Sequence, residues 1–447
     1  MERSEAQAAR PKVVLIGGDG GRSGVPRHLE HLVRACGGQA RFVVLSAPDR
    51  GGYSALRGAG VRHIPMPGLA SRLRPWQMLT TARRLARLLR RETPDLVWAH
   101  ARMGVVLLHL ILLGWALRFA LPGARGHALP PPAIAITYHG LPFGPGHRRL
   151  LARLALWLER LSLRNGPARC LIFLSATARD SYVAATGAGL IRRHRLEVLA
   201  NSSTVGPLPA PPAADRPGAV RRILVTGRAS RQKNLDRALH IFAALPGSYR
   251  LSFCGEGTET HAFRQRARRI LGSAGLRRID FNGPVEDLRP WLVAADCYLL
   301  TSRYEGQPIG ALEAFEAGLP VALPDLPGCR DVARHHPHAC FLTGATGGED
   351  AAEDALRVVA LAEAHARAGS AQPMAIREAW ERHHGFTAWS RQMEALMASL
   401  LPPRPTERKP AQASGGRPPL SVDGAAPAVV LPFPSETKGS SGARPGS

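Results

Sequence analysis

The stretch DCYLLTSRYEGQPIGALEAFEAGLPVALPD, Asp296 to Asp325, decides the fold. An apolar run, CYLLTS, breaks at Gly306 and Pro308; a helix is predicted from near Ile309, and PVALPD resumes an apolar run. Strand, helix and strand in that order read as one crossover unit of a parallel sheet. Glu305 then falls in the loop, and Glu313 about one and a half helical turns beyond the helix start. Two acids at such a crossover suit a polyhydroxylated ligand, with the helix N-terminus facing its phosphates.

The same alternation extends in both directions. KVVLIGG from Lys12, RFVVLS from Arg41, DLVWAH from Asp95, AIAITYHG from Ala133, CLIFLS from Cys170 and RLEVLA from Arg195 are strand-like, each separated by enough chain for a helix. A second series follows: RRILVTG from Arg221, RLSFCGEG from Arg250, RIDFNGPV from Arg278, and the opening stretch itself. Between them lies GPLPAPPAADRPGA, Gly206 to Ala219, an aperiodic Pro/Ala segment that reads as a linker. The expected fold class is therefore α/β, with two doubly wound domains, 10–205 and 220–400, around a cleft at the carboxyl ends of their strands. Residues 401–447 are dense in Pro, Gly and Ser and are expected to be a disordered tail.

A chain of 447 residues that is 45% hydrophobic can bury two cores. Cys36, Cys170, Cys254, Cys297, Cys329 and Cys340 show no metal-binding spacing and read as buried thiols of a reducing compartment. The N-terminus carries acids and only a short apolar stretch, which does not fit a signal peptide, so a cytoplasmic protein is expected. The net charge of +25 comes almost wholly from arginine, since lysine stands only at positions 12, 233, 409 and 438.

Two stretches focus that charge. TARRLARLLRRE places Arg83, Arg84, Arg87, Arg90 and Arg91 on one helical face, and HRRLLARLALWLERLSLR sets Arg148, Arg149, Arg153, Arg160 and Arg164 beside Leu150, Leu154, Trp157, Leu158 and Leu161. Both fit a helix lying on an anionic membrane surface; an ordinary solvated face fits as well. The apolar stretch Gly104 to Leu121 contains His109 and Arg118 and is expected to be a buried or surface-dipping helix rather than a span.

After RRILVTG, Arg228 and Lys233 stand on a loop leading into a helix. Two cations beside a helix N-terminus suit a diphosphate, the guanidinium through paired bonds and the ammonium as a point charge.

These residues carry a family resemblance. Arg228 and Lys233, GEG at Gly255, and FNGPVEDLRPWLVAADCYLLTSRYEGQPIGALEAFEAGLPVALPDLPG resemble the donor half of the retaining glycosyltransferases of family 4, of GT-B fold. GGDGGRSGVPRHLEHLVRA resembles that family's glycine-rich first loop, and WAHARMG and ITYHGLPF its third and fourth strand ends. HARMG, TYHGLPF and DLPGCRD together look like members that build bacterial exopolysaccharide, capsule or O-antigen chains on lipid carriers.

The resemblance implies two Rossmann-like domains and a UDP- or GDP-sugar donor. In it, Arg228 and Lys233 bind the donor diphosphate, Glu305 the transferred sugar with amides around Gln307, Pro308 and Ile309, and Glu313 the ribose. Val285 and Glu286 lie near the base, Gly20, Gly21, Gly24 and Gly255 allow close approach, and His139 sits near sugar and acceptor. Neither a metal nor another cofactor is expected, the acceptor is lipid-linked or another glycan, and the enzyme works on the cytoplasmic face of the inner membrane. One departure is that Asn201 is followed by Ser202, where many relatives have Gly.

Two other classes fit less well. Asp49 ends a strand where a nicotinamide dinucleotide would need an acid, but Ser23 stands where the fingerprint's third glycine belongs. A nucleic-acid binder would explain the charge, yet the basic residues are dispersed and no reading helix is visible, so no nucleic-acid partner is expected.

Overall fold

The computed structural model describes residues 10–70, 75–120, 132–143, 147–206, 208, 220–343 and 350–401. The linker and the tail, read as 206–219 and 401–447, fall largely outside these. Two all-parallel sheets form. The first contains β1 (Lys12–Ile16), β2 (Arg41–Ser46), β3 (Arg62–Pro65), β4 (Leu96–Ala99), β5 (Ala133–Tyr138), β6 (Cys170–Phe173) and β7 (Arg195–Val198), in the order β3-β2-β1-β4-β5-β6-β7. The second contains β8 (Arg221–Thr226), β9 (Tyr249–Cys254), β10 (Ile279–Phe281), β11 (Cys297–Leu299), β12 (Val321–Pro324) and β13 (Ala339–Leu342), in the order β10-β9-β8-β11-β12-β13.

Strand order reverses beside β1 in one sheet and beside β8 in the other. At such switch points neighbouring crossovers diverge to opposite faces and leave a crevice at the strand ends. The glycine-rich loop follows β1, Arg228 follows β8, and the Glu305 loop follows β11, which pairs with β8.

The central strands alternate their side chains between two cores. In β1, Val14 and Ile16 enter one cluster, and Val13 and Leu15 enter the other. Near-continuous apolar strands, buried on both faces, explain why most were legible. Two strands and one helix depart from the reading. Strands β3 and β13 had no counterpart in the reading; both are edge strands, and the exposed face of β3 tolerates Arg62. The helix Phe386–Leu400 also does not stay with the second domain, to which a boundary at 400 would assign it. Its Trp389, Met393, Leu396 and Met397 join the first-domain core against Leu29, Leu32 and Val33 of the helix Gly24–Cys36. An apolar stripe at helical spacing must find a partner, and the first domain supplies it.

The apolar stretch from Gly104 forms the helix Arg102–Ala120, and among the described residues no helix is long and apolar enough to cross a membrane. Its His109 is buried and bonds Glu159 at 3.0 Å; Glu159 also accepts the hydroxyls of Tyr138 and Tyr182. The polar interruption of that run is thus a satisfied internal network.

Burial holds several histidines neutral, lowering His28 and His384 to about 4 and His31 and His336 to about 3. Below the ordinary value of 6.5 the unfolded chain binds protons at these sites that the folded chain refuses. Stability is therefore expected to fall as pH drops from about 6.5 toward 4. Melting temperature measured across that window tests this, and a flat profile contradicts it.

Candidate active site

The second domain contributes a cationic corner. Gly227, at φ +126°, turns the chain out of β8, and Lys233 packs against it so closely that a Cβ there would press on the lysine stem. Lys233 Nζ reaches Glu305 Oε1 at 2.7 Å, with only 8% of the Glu305 side chain exposed. Gly255, at φ +157°, backs onto the Gly227 carbonyl, where any side chain would overlap. The helix Ile309–Ala317 starts at Pro308 without a side-chain cap, so its first amides are not spent on one. Gly310 lets that end settle against Thr226 Oγ1 and the Tyr298 hydroxyl.

Glu313 lies one turn into this helix with 14% of its side chain exposed. Burial raises its pKa, opposed by Arg27 of the first domain at 3.6 Å. Its neighbour Glu316 has a different task, accepting the amides of Val205 and Gly206 where the chain leaves the first domain.

The first domain contributes imidazoles. His139, at the end of β5, is held neutral by burial and by His28, whose ring lies 4.5 Å away edge-on. His28 Nδ1 meets Asn201 Oδ1 at 3.0 Å. Because the Asn201 amide nitrogen already donates to the Gln307 carbonyl, its oxygen faces His28 and Nδ1 carries the proton. His100 completes the group, stacked on Trp98, with its Nδ1 3.5 Å from His139 Nε2. Among the described residues these three histidines form the one cluster of metal-ligand types. Their ligating nitrogens lie within 4.8 Å of one another, and burial holds all three rings neutral. The arrangement is that of packed neutral rings.

The two halves meet at His139. Gly306 approaches the His139 carbonyl so closely that any side chain would overlap it, and Gly328 stands in the same relation to Gly306. Asn201 adds two buried bonds, its amide to Gln307 Oε1 at 2.5 Å and its side chain to the Gln307 carbonyl at 3.0 Å. Among the described residues four ion pairs also cross the cleft: Asp19–Arg228 at 3.0 Å, Arg50–Glu256 at 3.0 Å, Arg22–Glu286 at 2.6 Å and Arg27–Glu313 at 3.6 Å.

The expected residues thus converge. Arg228, Lys233, Glu305, Gln307, Pro308, Ile309 and Glu313 line one side; His139 and Gly24, whose added Cβ would meet Ile309 Cδ1 at 3.8 Å, line the other. Gly20 packs against the Pro48 carbonyl and Gly21 against Glu256. Val285 is half-buried beside the second core, and the exposed Glu286 reaches Arg22. Gln307 differs in emphasis: its side chain is spent on Asn201. Asp19, Arg22, Arg27, Arg50, Glu256 and His28 were not singled out from the sequence, because nothing local distinguishes them from other charged loop and helix residues. Asp49, the acid a nicotinamide enzyme would need, instead bonds the amides of Gly51 and Tyr53 and pairs with Arg57.

Residues 23–202 match the glycosyl transferase 4-like domain, and residues 220–361 match the glycosyl transferases group 1 model. The chain belongs to this glycosyltransferase family. The lipopolysaccharide core biosynthesis glycosyltransferase LpsE of Rhizobium meliloti is 31% identical over 133 residues, 29% of this chain and 37% of that relative, so the match spans little over a third of its length. Sucrose-phosphate synthase from Thermosynechococcus elongatus superposes with a TM-score of 0.65 at 17% identity, over 88% of this chain and 99% of that one. The Anabaena protein HepE in complex with UDP-glucose gives 0.65 at 15% identity, over 87% and 99%. At such identities the structures establish the GT-B fold that the sequence led us to expect.

The raised pKa of Glu313 has a stability consequence. The folded state holds that proton to higher pH than the unfolded chain, so the group's contribution to stability falls as pH rises above 4.5. Glu313→Gln is therefore expected to raise the neutral-pH melting temperature of the ligand-free protein. A lower melting temperature would mean that the pair with Arg27 outweighs burial.

Proposed function

We propose that the protein transfers a sugar, with retention of configuration, from a nucleoside-diphosphate donor to a lipid-linked or other membrane-held glycan during bacterial surface polysaccharide assembly. The observation that carries this reading is the Lys233–Glu305 pair, set beside Arg228 and a helix N-terminus and facing His139 across the cleft. LpsE, named for lipopolysaccharide core biosynthesis, supports the acceptor class, and the UDP-glucose bound to HepE makes UDP-sugars the first donors to try, before GDP-sugars.

In this reading the donor diphosphate takes Arg228 and Lys233, which stabilise the charge that grows on it as the bond to the sugar breaks. Lys233 leaves Glu305 for the phosphate, and the freed carboxylate accepts sugar hydroxyls. Glu313 accepts ribose hydroxyls. No carboxylate stands as an obvious nucleophile, which favours front-face substitution: the acceptor oxygen bonds the anomeric carbon, the diphosphate departs, and the acceptor proton passes to a diphosphate oxygen. His139, held neutral, can bond a sugar or acceptor hydroxyl. Glu305→Ala is expected to lower kcat on the order of a hundredfold, while Arg228→Gln and Lys233→Gln also weaken donor binding. Turnover at the normal rate by the Glu305 variant would refute the assignment, and nucleotide sugars should raise the melting temperature of the wild type.

The membrane-held acceptor is supported by one surface of the first domain. Trp76, Leu79, Leu150, Leu151, Leu154 and Trp157 are all at least half exposed, Leu150 to 78%. They lie on the helices Pro75–Glu92 and Arg149–Asn165, which flank and pack against the helix Arg102–Ala120. Arg83, Arg84, Arg87, Arg90, Arg91, Arg149, Arg153, Arg160 and Arg164 are exposed on the same two helices, with Arg148 exposed at the start of the second, while their acids, Glu92 and Glu159, are buried. Tryptophan and leucine amid unneutralised arginine match the interface of an anionic bilayer and support the expected peripheral attachment at the cytoplasmic face. Each basic residue near such a surface contributes about 1 kcal/mol. Replacing Arg83, Arg87 and Arg90 together should weaken binding to phosphatidylglycerol vesicles by roughly a hundredfold. Leu154→Glu with Trp157→Glu should prevent cosedimentation while leaving transfer to a water-soluble acceptor unchanged; undiminished sedimentation of both variants would refute this surface.

A further inference from the structure

The carboxylate of Asp19 occupies the cation on which the donor reading depends. Its Oδ2 lies 3.0 Å from Arg228 Nη1, and its Oδ1 lies 2.9 Å from Arg50 Nη2. Arg50 reaches on to Glu256 Oε1 at 3.0 Å. The four charges alternate in sign as Arg228, Asp19, Arg50, Glu256, with the middle two from the first domain and the outer two from the second. All are partly open to solvent, from 21% for the Asp19 side chain to 53% for Arg50.

We infer that Asp19 is an internal anion standing in for the donor diphosphate, and that donor affinity is set by its exchange from Arg228 to Arg50. The inference rests on the reading of Arg228 as a diphosphate ligand. A diphosphate bonded to Arg228 and a carboxylate 3.0 Å from the same guanidinium would be neighbouring anions, so one must give way. The backbone around Asp19 is pinned on both sides. Ala47 donates to the Gly18 carbonyl at 2.8 Å, and Arg50 and Gly52 donate to the Gly20 carbonyl at 2.8 and 3.0 Å. Release therefore falls to the Asp19 side chain, and Arg50, carried by the loop that pins it, is the cation it keeps. Exposed pairs of this kind are weak individually, which makes the exchange cheap.

The exchange gives Asp19 and Arg50 opposite effects. Asp19→Asn removes both the competitor and the repulsion, whereas Arg50→Gln leaves Asp19, among the described residues, paired with Arg228 alone. The test is calorimetric titration of the full chain with inorganic pyrophosphate, which needs neither the right sugar nor an acceptor. Asp19→Asn and Asp19→Ser are both expected to bind pyrophosphate roughly fivefold more tightly than wild type. Arg50→Gln should bind more weakly, and should have little effect in the Asp19→Asn background. Donor KM should fall in Asp19→Asn by a similar factor. Equal pyrophosphate affinity in wild type and both Asp19 variants overturns the inference while leaving the donor site standing. If Arg228→Gln leaves pyrophosphate and nucleotide binding unaltered, the donor-site reading and this inference fall together.

Discussion

The cleft is organised by a contact that no side chain can enter. Gly306 lies against the His139 carbonyl, and Gly328 lies against Gly306, so three backbone segments from two domains stack without a Cβ between them. This approach brings the Glu305 loop to the end of β5, and with it the His139 imidazole. Asn201 reinforces the contact through two bonds to Gln307 and turns its remaining oxygen toward His28. A change at Gly306 would act on Glu305, His139 and the domain closure together, since all three share that backbone.

Around this fixed point the electrostatics divide into two kinds. Burial shifts the titration of the inner groups: the histidines near β5 stay neutral, and Glu313 is pushed up despite Arg27. They shape the pocket at some cost in stability. The exposed pairs across the cleft are exchangeable, each weak in water and screened by salt. Such an arrangement lets a charged ligand replace intramolecular partners one at a time without unmaking the fold.

Much of the fold was legible because parallel strands covered on both faces need continuous apolar runs, and the chain carries them at regular spacing. Strand β3 escaped because its edge position admits Arg62 and His63, which break the apolar run; β13, ACFL, is apolar but only four residues long. The helix Phe386–Leu400 was legible as a helix but not in its allegiance, since an apolar stripe does not name the surface it will cover. In the site, Lys233, Glu305 and Glu313 could be singled out by their position at strand-to-helix switches. Asp19, Arg50 and His28 could not, because their partners lie in other loops or in the other domain.

By itself, then, the sequence determined the two alternating α/β halves, the loops that carry the chemistry, and the residue types each loop presents. Those properties depend on local periodicity and turn chemistry, which neighbouring residues dictate. Only the tertiary structure decided which charges face one another, which histidines are neutral, and that the basic helices expose tryptophan and leucine beside their arginines. Pairing, burial and exposure depend on residues tens to hundreds of positions apart, and they take definite values only when the two sheets have closed around Gly306.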